Sequence, residues 1–113
     1  MRIRSVLQEF EAKLAPAQPG ASASARGKAE WKVYGDGTRG CKVSISGLDL
    51  PDGAVLQLAV SGRPIDQLVV SEGKARYKRQ SERGEVVPQV ELNQVLQVSY
   101  AGQIILKGEL YPE

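Results

Sequence analysis

"GKAEWKVYGDGTRGCKVSISG", residues 27–47, decides the fold. In its first half Ala29, Trp31 and Val33 fall on one side of an extended chain, and Lys28, Glu30 and Lys32 on the other. In its second half Cys41, Val43 and Ile45 alternate with Lys42, Ser44 and Ser46 in the same way. A period of two marks strands with one dry and one wet face. "GDG" at 35–37 between them signals a hairpin.

The pattern continues on the C-terminal side. "GLDLPDG" (47–53) reads as a turn: Pro51 fixes its own φ, Asp52 can bond nearby backbone, and Gly53 tolerates positive φ. "AVLQLAVSGRPIDQLVV" reads as two strands around Ser61–Pro64. "SEG" at 71–73 opens a basic run that "ERGE" at 82–85 closes. "VVPQVELNQ" reads as a connector, since Pro88 cannot donate to a central ladder. "VLQVSYAGQIILKGELY" gives a last hairpin turning at Ala101-Gly102-Gln103. Short strands with a turn signal every eight to twelve residues predict an all-β protein. The expected fold is a single antiparallel β-sandwich of about seven to eight strands in a Greek-key-like order. Trp31, Val43, Ile45, Leu56, Leu58, Leu96, Val98 and Leu106 are its expected core. "VLQLAVSGRPI" (55–65) echoes "VLQVSYAGQII" (95–105) at a spacing of forty residues. Two hairpins of one sandwich solving the same packing problem explain the echo more simply than duplication does.

The N-terminal segment fits two periods. Ile3, Leu7, Phe10 and Leu14 suit a helical stripe; Val6, Phe10, Ala12 and Leu14 suit a strand. The strand is preferred, because Val and Phe favour it and the neighbouring pattern is all β. Residues 1–14 are thus an arm or first strand, 15–27 an Ala/Pro/Gly/Ser-rich linker, and 28–113 the sandwich. Ile3, Val6, Leu7, Phe10 and Leu14 make the arm a candidate for self-association. It either packs at home or exchanges with a second copy.

A chain of 113 residues is one domain and long enough for its own core. The net charge of +2 is too small for a whole-protein field that drives nucleic-acid or membrane binding, so any such role needs a local patch. Cys41 is the sole cysteine and lies on a dry face, where it reads as a small buried hydrophobe. The chain has no histidine, which removes the commonest general base and metal ligand. No nucleophile elbow, phosphate loop or dinucleotide fingerprint occurs. Neither catalytic residues nor a metal, a cofactor or a small-molecule substrate is expected. No stretch reads as a signal peptide or a membrane span, which points to the cytoplasm or a particle assembled there.

The one loud feature is "KARYKRQSERG" (74–84), with Lys74, Arg76, Lys78, Arg79 and Arg83. As a strand it turns Lys74, Arg76 and Lys78 to one face and Ala75, Tyr77 and Arg79 to the other. The simplest reading is a solvated edge strand guarded by its charges. The functional one is an anion or nucleic-acid contact using these five cations, with Tyr77 as a stacking platform.

"FEAKLAPAQPGASASARGKAEWKV" and "DGTRGCKVSISGLDLPDGAVLQLAV" resemble the CHRD domain, an all-β module named after chordin. The likeness lies in an F-x-A-x-L strand, a proline-containing loop, a G-x-A strand, a D-G-T turn and a "GL" turn, over about residues 10–60. The family's histidines after the "GL" turn are missing here, so no role of theirs carries over. Residues 61–113 are similar to small bacterial β-sandwich domains with a G-x-A…G-E-x-V-P pattern. The resemblance implies the fold and no activity. The expected function is a non-enzymatic structural or interaction module that self-associates, as a filament, shell or phage-particle subunit would. The alternative is a weak anion- or nucleic-acid-binding module.

Overall fold

The computed structural model describes residues 5–17 and 24–112. Alternation builds the strands where the sequence places them. β1 (Val6–Pro16), β2 (Arg26–Tyr34), β3 (Arg39–Ser46) and β6 (Ala75–Gln80) form the first sheet, in the order β1-β2-β3-β6. β4 (Val55–Val60), β5 (Arg63–Val69), β7 (Val95–Tyr100) and β8 (Gln103–Glu109) form the second, in the order β5-β4-β7-β8. All pairs are antiparallel. β1 and β8 join the sheets, and β9 (Tyr111–Pro112) adds a short pairing to β1. The far ends, β5 and β6, meet at an open seam. The result is a sandwich that nearly closes into a flattened barrel.

The connections are Greek-key-like. The chain leaves β3 for the second sheet, makes the β4–β5 hairpin, returns as β6 beside β3, then crosses again to place β7 beside β4. The 35–37 turn closes β2–β3: the Tyr34 N–H donates to the Thr38 carbonyl at 2.9 Å, and the Asp36 carboxylate accepts from the Thr38 N–H at 2.9 Å. Asp52 bonds across the fold rather than locally, accepting from the Glu72 N–H at 2.7 Å. The final hairpin turns on Ala101 and Gly102 alone, at φ 52° and 81°, and Gln103 already belongs to β8.

Every expected core residue is buried: Trp31, Val43, Ile45, Leu56, Leu58, Leu96, Val98 and Leu106. Loop residues Leu48, Val70, Val90 and Leu110 add to the core. The 86–94 connector folds over one end of the sandwich, where the Pro88 carbonyl accepts the Trp31 indole N–H at 3.0 Å.

The N-terminal segment is a strand, not a helix. Of the expected 15–27 linker, residues 18–23 lie outside the described residues, and the two described ends are ordered parts of the sandwich. Ala15 and Pro16 pair with Lys107 and Leu106, Ala17 donates to the Ile105 carbonyl at 2.9 Å, Ala25 is fully buried, and Arg26–Gly27 open β2. Small residues serve here because backbones come close. A Cβ on Gly27 would sit 3.1 Å from the Leu14 side chain and from the Ser44 carbonyl.

The 55–65/95–105 echo is deeper in the structure than in the sequence. Adding forty to the β4–β5 register reproduces β7–β8: Val55↔Val69 and Val95↔Glu109, Leu58↔Asp66 and Val98↔Leu106, Val60↔Arg63 and Tyr100↔Gln103. Both ladders slip at the same place, between Leu58 and Ala59 and between Val98 and Ser99. Both turn on two left-handed residues, Ser61-Gly62 and Ala101-Gly102. The bonds from Gly53 N–H to the Val70 carbonyl (2.8 Å) and from Asn93 N–H to the Leu110 carbonyl (2.9 Å) correspond too. A shared packing problem accounts for the apolar positions but does not require the same bulge. β4 and β7 pair about Leu58↔Val98, so the second sheet is a pseudo-two-fold pair of hairpins.

β1 meets the second sheet at Gly108. A side chain there would collide with the Lys13 carbonyl oxygen, a backbone atom that cannot swing away. Gly108→Ala should therefore destabilise by about 1–3 kcal/mol or more. Gly62→Ala, where a Cβ meets nothing within 4 Å, should carry only the strain of its φ of 84°. Chemical denaturation of the two variants measures the difference.

Candidate interaction surfaces

The wet face of the first sheet is built by register. β1 faces β2 as Glu9↔Lys32, Glu11↔Glu30 and Lys13↔Lys28. β2 faces β3 as Glu30↔Lys42, Lys28↔Ser44 and Arg26↔Ser46, and β3 faces β6 as Lys42↔Lys78 and Ser44↔Arg76. The carboxylates lie on β1 and β2 and are used there. Lys28 Nζ is 3.1 Å from Glu30 and 3.3 Å from Glu11, and Lys32 Nζ is 3.4 Å from Glu9. Glu30, then Glu11, hold the Lys28 ammonium above its ordinary pKa, and Glu9 does the same for Lys32. Glu11 is itself 7% exposed, covered by β9 through the Glu11↔Tyr111 pairing.

β3 and β6 carry the surplus. Lys42, Lys74, Arg76 and Lys78 are exposed, and none forms an ion pair with a described residue. Lys42 and Lys78 stand directly opposite each other. Like charges facing across a ladder cost stability, so this pair opposes the fold. Alternation placed Lys42 and Ser44 on a wet face, but only the β3–β6 pairing brings them beside the basic run.

The basic run divides. Arg76 and Lys78 point outward from β6, an end strand of the sheet order, as alternation predicts, and Lys74, exposed just before the strand, is bridged to Ser71. Tyr77 is no stacking platform. Its parity turns it inward, it is 4% exposed, and the Arg79 guanidinium covers its ring at 4.5 Å. Arg79 in turn pairs with Asp66 of β5 at 3.4 Å and clasps the seam. Arg83 sits in a 3₁₀ turn (Ser81–Arg83) past the strand and does not join the outward row. Cys41 is 4% exposed, and burial pushes its thiol up to about 11, away from nucleophilic chemistry.

The arm residues also divide. Phe10 and Leu14 are core residues of β1, paired with Trp31 and Gly27 of β2. Val6 and Leu7 are exposed beside a register shift between Val6 and Gln8. Ile3 lies outside the described residues.

A second surface had no single motif to announce it. On the outer face of the second sheet, Val55, Gln57 and Ala59 of β4, Gln67 and Val69 of β5, and Val95, Gln97 and Ser99 of β7 carry no formal charge. Val55 and Val69 face each other at 44% and 59% exposure. The repeated "VLQ" is its only trace in the sequence.

No protein-family model matches the chain, and no curated protein shows significant similarity to it.

Tyr77 provides a stability test. Its hydroxyl is buried and meets hydrogen-bond geometry with no described residue, although the Asp66 carboxylate is close enough to act on it; burial, then Asp66, raise its pKa. Tyr77→Phe should be neutral or stabilise by up to about 1 kcal/mol, because an unsatisfied buried hydroxyl costs about that much. A loss of stability in thermal denaturation would show that the hydroxyl is bonded.

Cys41 provides a pH test. The unfolded thiol ionises near its ordinary 9.0, while the folded one keeps its proton to about 11. The thiol's effect is constant below pH 9, and stability falls as pH rises from 9 to 11. Tyr77 adds a loss of the same sign above its ordinary 10.0. Cys41→Ala should flatten the decline between pH 9 and 10 in denaturation midpoints.

Proposed function

We propose that the protein is a non-enzymatic interaction module that associates with a second copy of itself through the outer face of the second sheet. The carrying observation is the absence of formal charge across β4, β5 and β7, on a molecule whose other face is crowded with charge. An isologous contact sets a surface against itself, so a surface without charge avoids self-repulsion. The pseudo-two-fold axis repeats Val55 as Val95 and Gln57 as Gln97 on the two central strands, while Gln67 and Val69 of β5 correspond to Lys107 and Glu109 of β8 at the rim.

Three strands about 4.8 Å apart and six residues of about 3.3 Å each give an uncharged patch on the order of 300 Å² per copy, bordered on β8 by Lys107 and Glu109. That is below the area of a stable interface, so the pairing is weak and reversible. One such face gives a closed dimer. A filament, shell or particle would need a second contact.

Sedimentation equilibrium should show the mass rising from the 12.2 kDa monomer toward the dimer with concentration. Gln57→Lys with Gln97→Lys should keep the protein monomeric throughout. A monomer up to about 1 mM, or unchanged association in the double variant, would overturn the reading. The in-register Lys42–Lys78 pair favours a second reading, an anionic partner on the opposite face.

A further inference from the structure

A groove of about 420 Å³ runs along the first sheet's wet face, flanked by Arg26, Lys28, Ser44, Ser46, Lys74 and Arg76. Its floor is the strand backbone at Gly27 and Ile45. We propose that this groove binds a short chain of phosphoryl groups, two or three in a row, as in inorganic tripolyphosphate.

The geometry comes from three neighbouring strands. Lys28, Ser44 and Arg76 form one row across β2, β3 and β6, and Arg26 and Ser46 form the next. Lys74 lies two residues before Arg76 on the same face. Within this set the charges do different work. Lys28 is engaged by Glu11 and Glu30, and one Arg26 nitrogen is held by the Ala25 carbonyl at 2.7 Å. Lys74 and Arg76 have no described acidic partner and supply the free cationic donors. The two serine hydroxyls lie between them and add neutral donors to the same space.

A tetrahedral oxyanion suits this donor set. Guanidinium forks and ammonium groups bind phosphate oxygens by charge-assisted hydrogen bonds, and hydroxyls donate to the remaining ones. At about 420 Å³ the groove has room for more than one such group, and Lys42 and Lys78 continue the positive surface along β3 and β6, in the row that begins with Glu30 of β2. No aromatic side chain lines it, because Tyr77 is turned into the core. Recognition therefore runs through phosphoryl oxygens and not through stacked bases. Such binding weakens steeply as salt is added.

The test is calorimetric titration with inorganic tripolyphosphate at low salt, with a single-stranded oligonucleotide as a second arm. The wild type should bind tripolyphosphate. Lys74→Ser with Arg76→Ser should weaken binding at least about tenfold, since two charge-assisted contacts are lost. Ser44→Asp, which sets a carboxylate in the groove, should do the same. Arg83→Ser should leave affinity unchanged. Circular dichroism on each variant confirms the fold; Lys74, Arg76 and Arg83 are exposed and Ser44 is half-buried. No binding of tripolyphosphate, equal binding by the Lys74/Arg76 variant, or binding of the oligonucleotide alone would overturn the proposal. The dimer face lies on the other sheet and is read by mass, so the two proposals fail separately.

Discussion

Everything in this molecule hangs on β1, the strand that belongs to both sheets. Along Gln8–Leu14 it pairs with β2, at Phe10–Glu11 its other edge meets β9, and at Ala15–Pro16 it meets β8. The same residues fill the core between the sheets with Phe10, Ala12 and Leu14. Such a join needs backbones closer than side chains allow. Gly108 grants that space against Lys13, and Gly27 grants it against Leu14 and Ser44. Pro16 has no N–H to give, and the pairing to β8 continues past it through the Ala17 N–H, which donates to the Ile105 carbonyl. An edge that would invite strangers is thereby consumed inside the chain.

The second sheet shows how one local solution serves twice. Each hairpin has a two-residue left-handed turn, whose twist matches that of its strands, and a bulge that bends it over the core. Pairing the two copies through β4 and β7 buries Leu56, Leu58, Leu96 and Val98 at the centre. Their outward partners are Val, Gln, Ala and Ser. The opposite face is made otherwise. There, acids on β1 and β2 satisfy Lys28 and Lys32, while β3 and β6 are left with cations alone. The sandwich keeps two unlike faces back to back, and this asymmetry supports assigning them different partners.

The seam sets the character of the basic strand. β6 has a ladder on one side only, and across its open edge Arg79 reaches Asp66 of β5. One cation of the run therefore closes the barrel and shields Tyr77, while Lys74, Arg76 and Lys78 remain in solvent. Charge count along the chain does not distinguish these jobs; strand parity and the identity of the facing strand do.

The sequence by itself determined which residues are strand, which turn, and which side of each strand is dry. Those depend on local physics: a period of two, fixed φ at proline and tolerated positive φ at glycine. Trp31, Val43 and Leu58 were therefore legible as core, and Lys42 and Arg76 as surface. Only the tertiary structure decided which strands are neighbours beyond the hairpins, because that order depends on crossovers between sheets that leave no periodic signal. It set Lys42 beside Lys78 and made an anion groove from three strands. It also closed Arg79 over the Tyr77 ring that parity had turned inward, carried strand structure into both ends of the presumed linker, and converted a faint echo into a two-fold sheet. In each case long-range backbone register, invisible to any window along the chain, chose the partner.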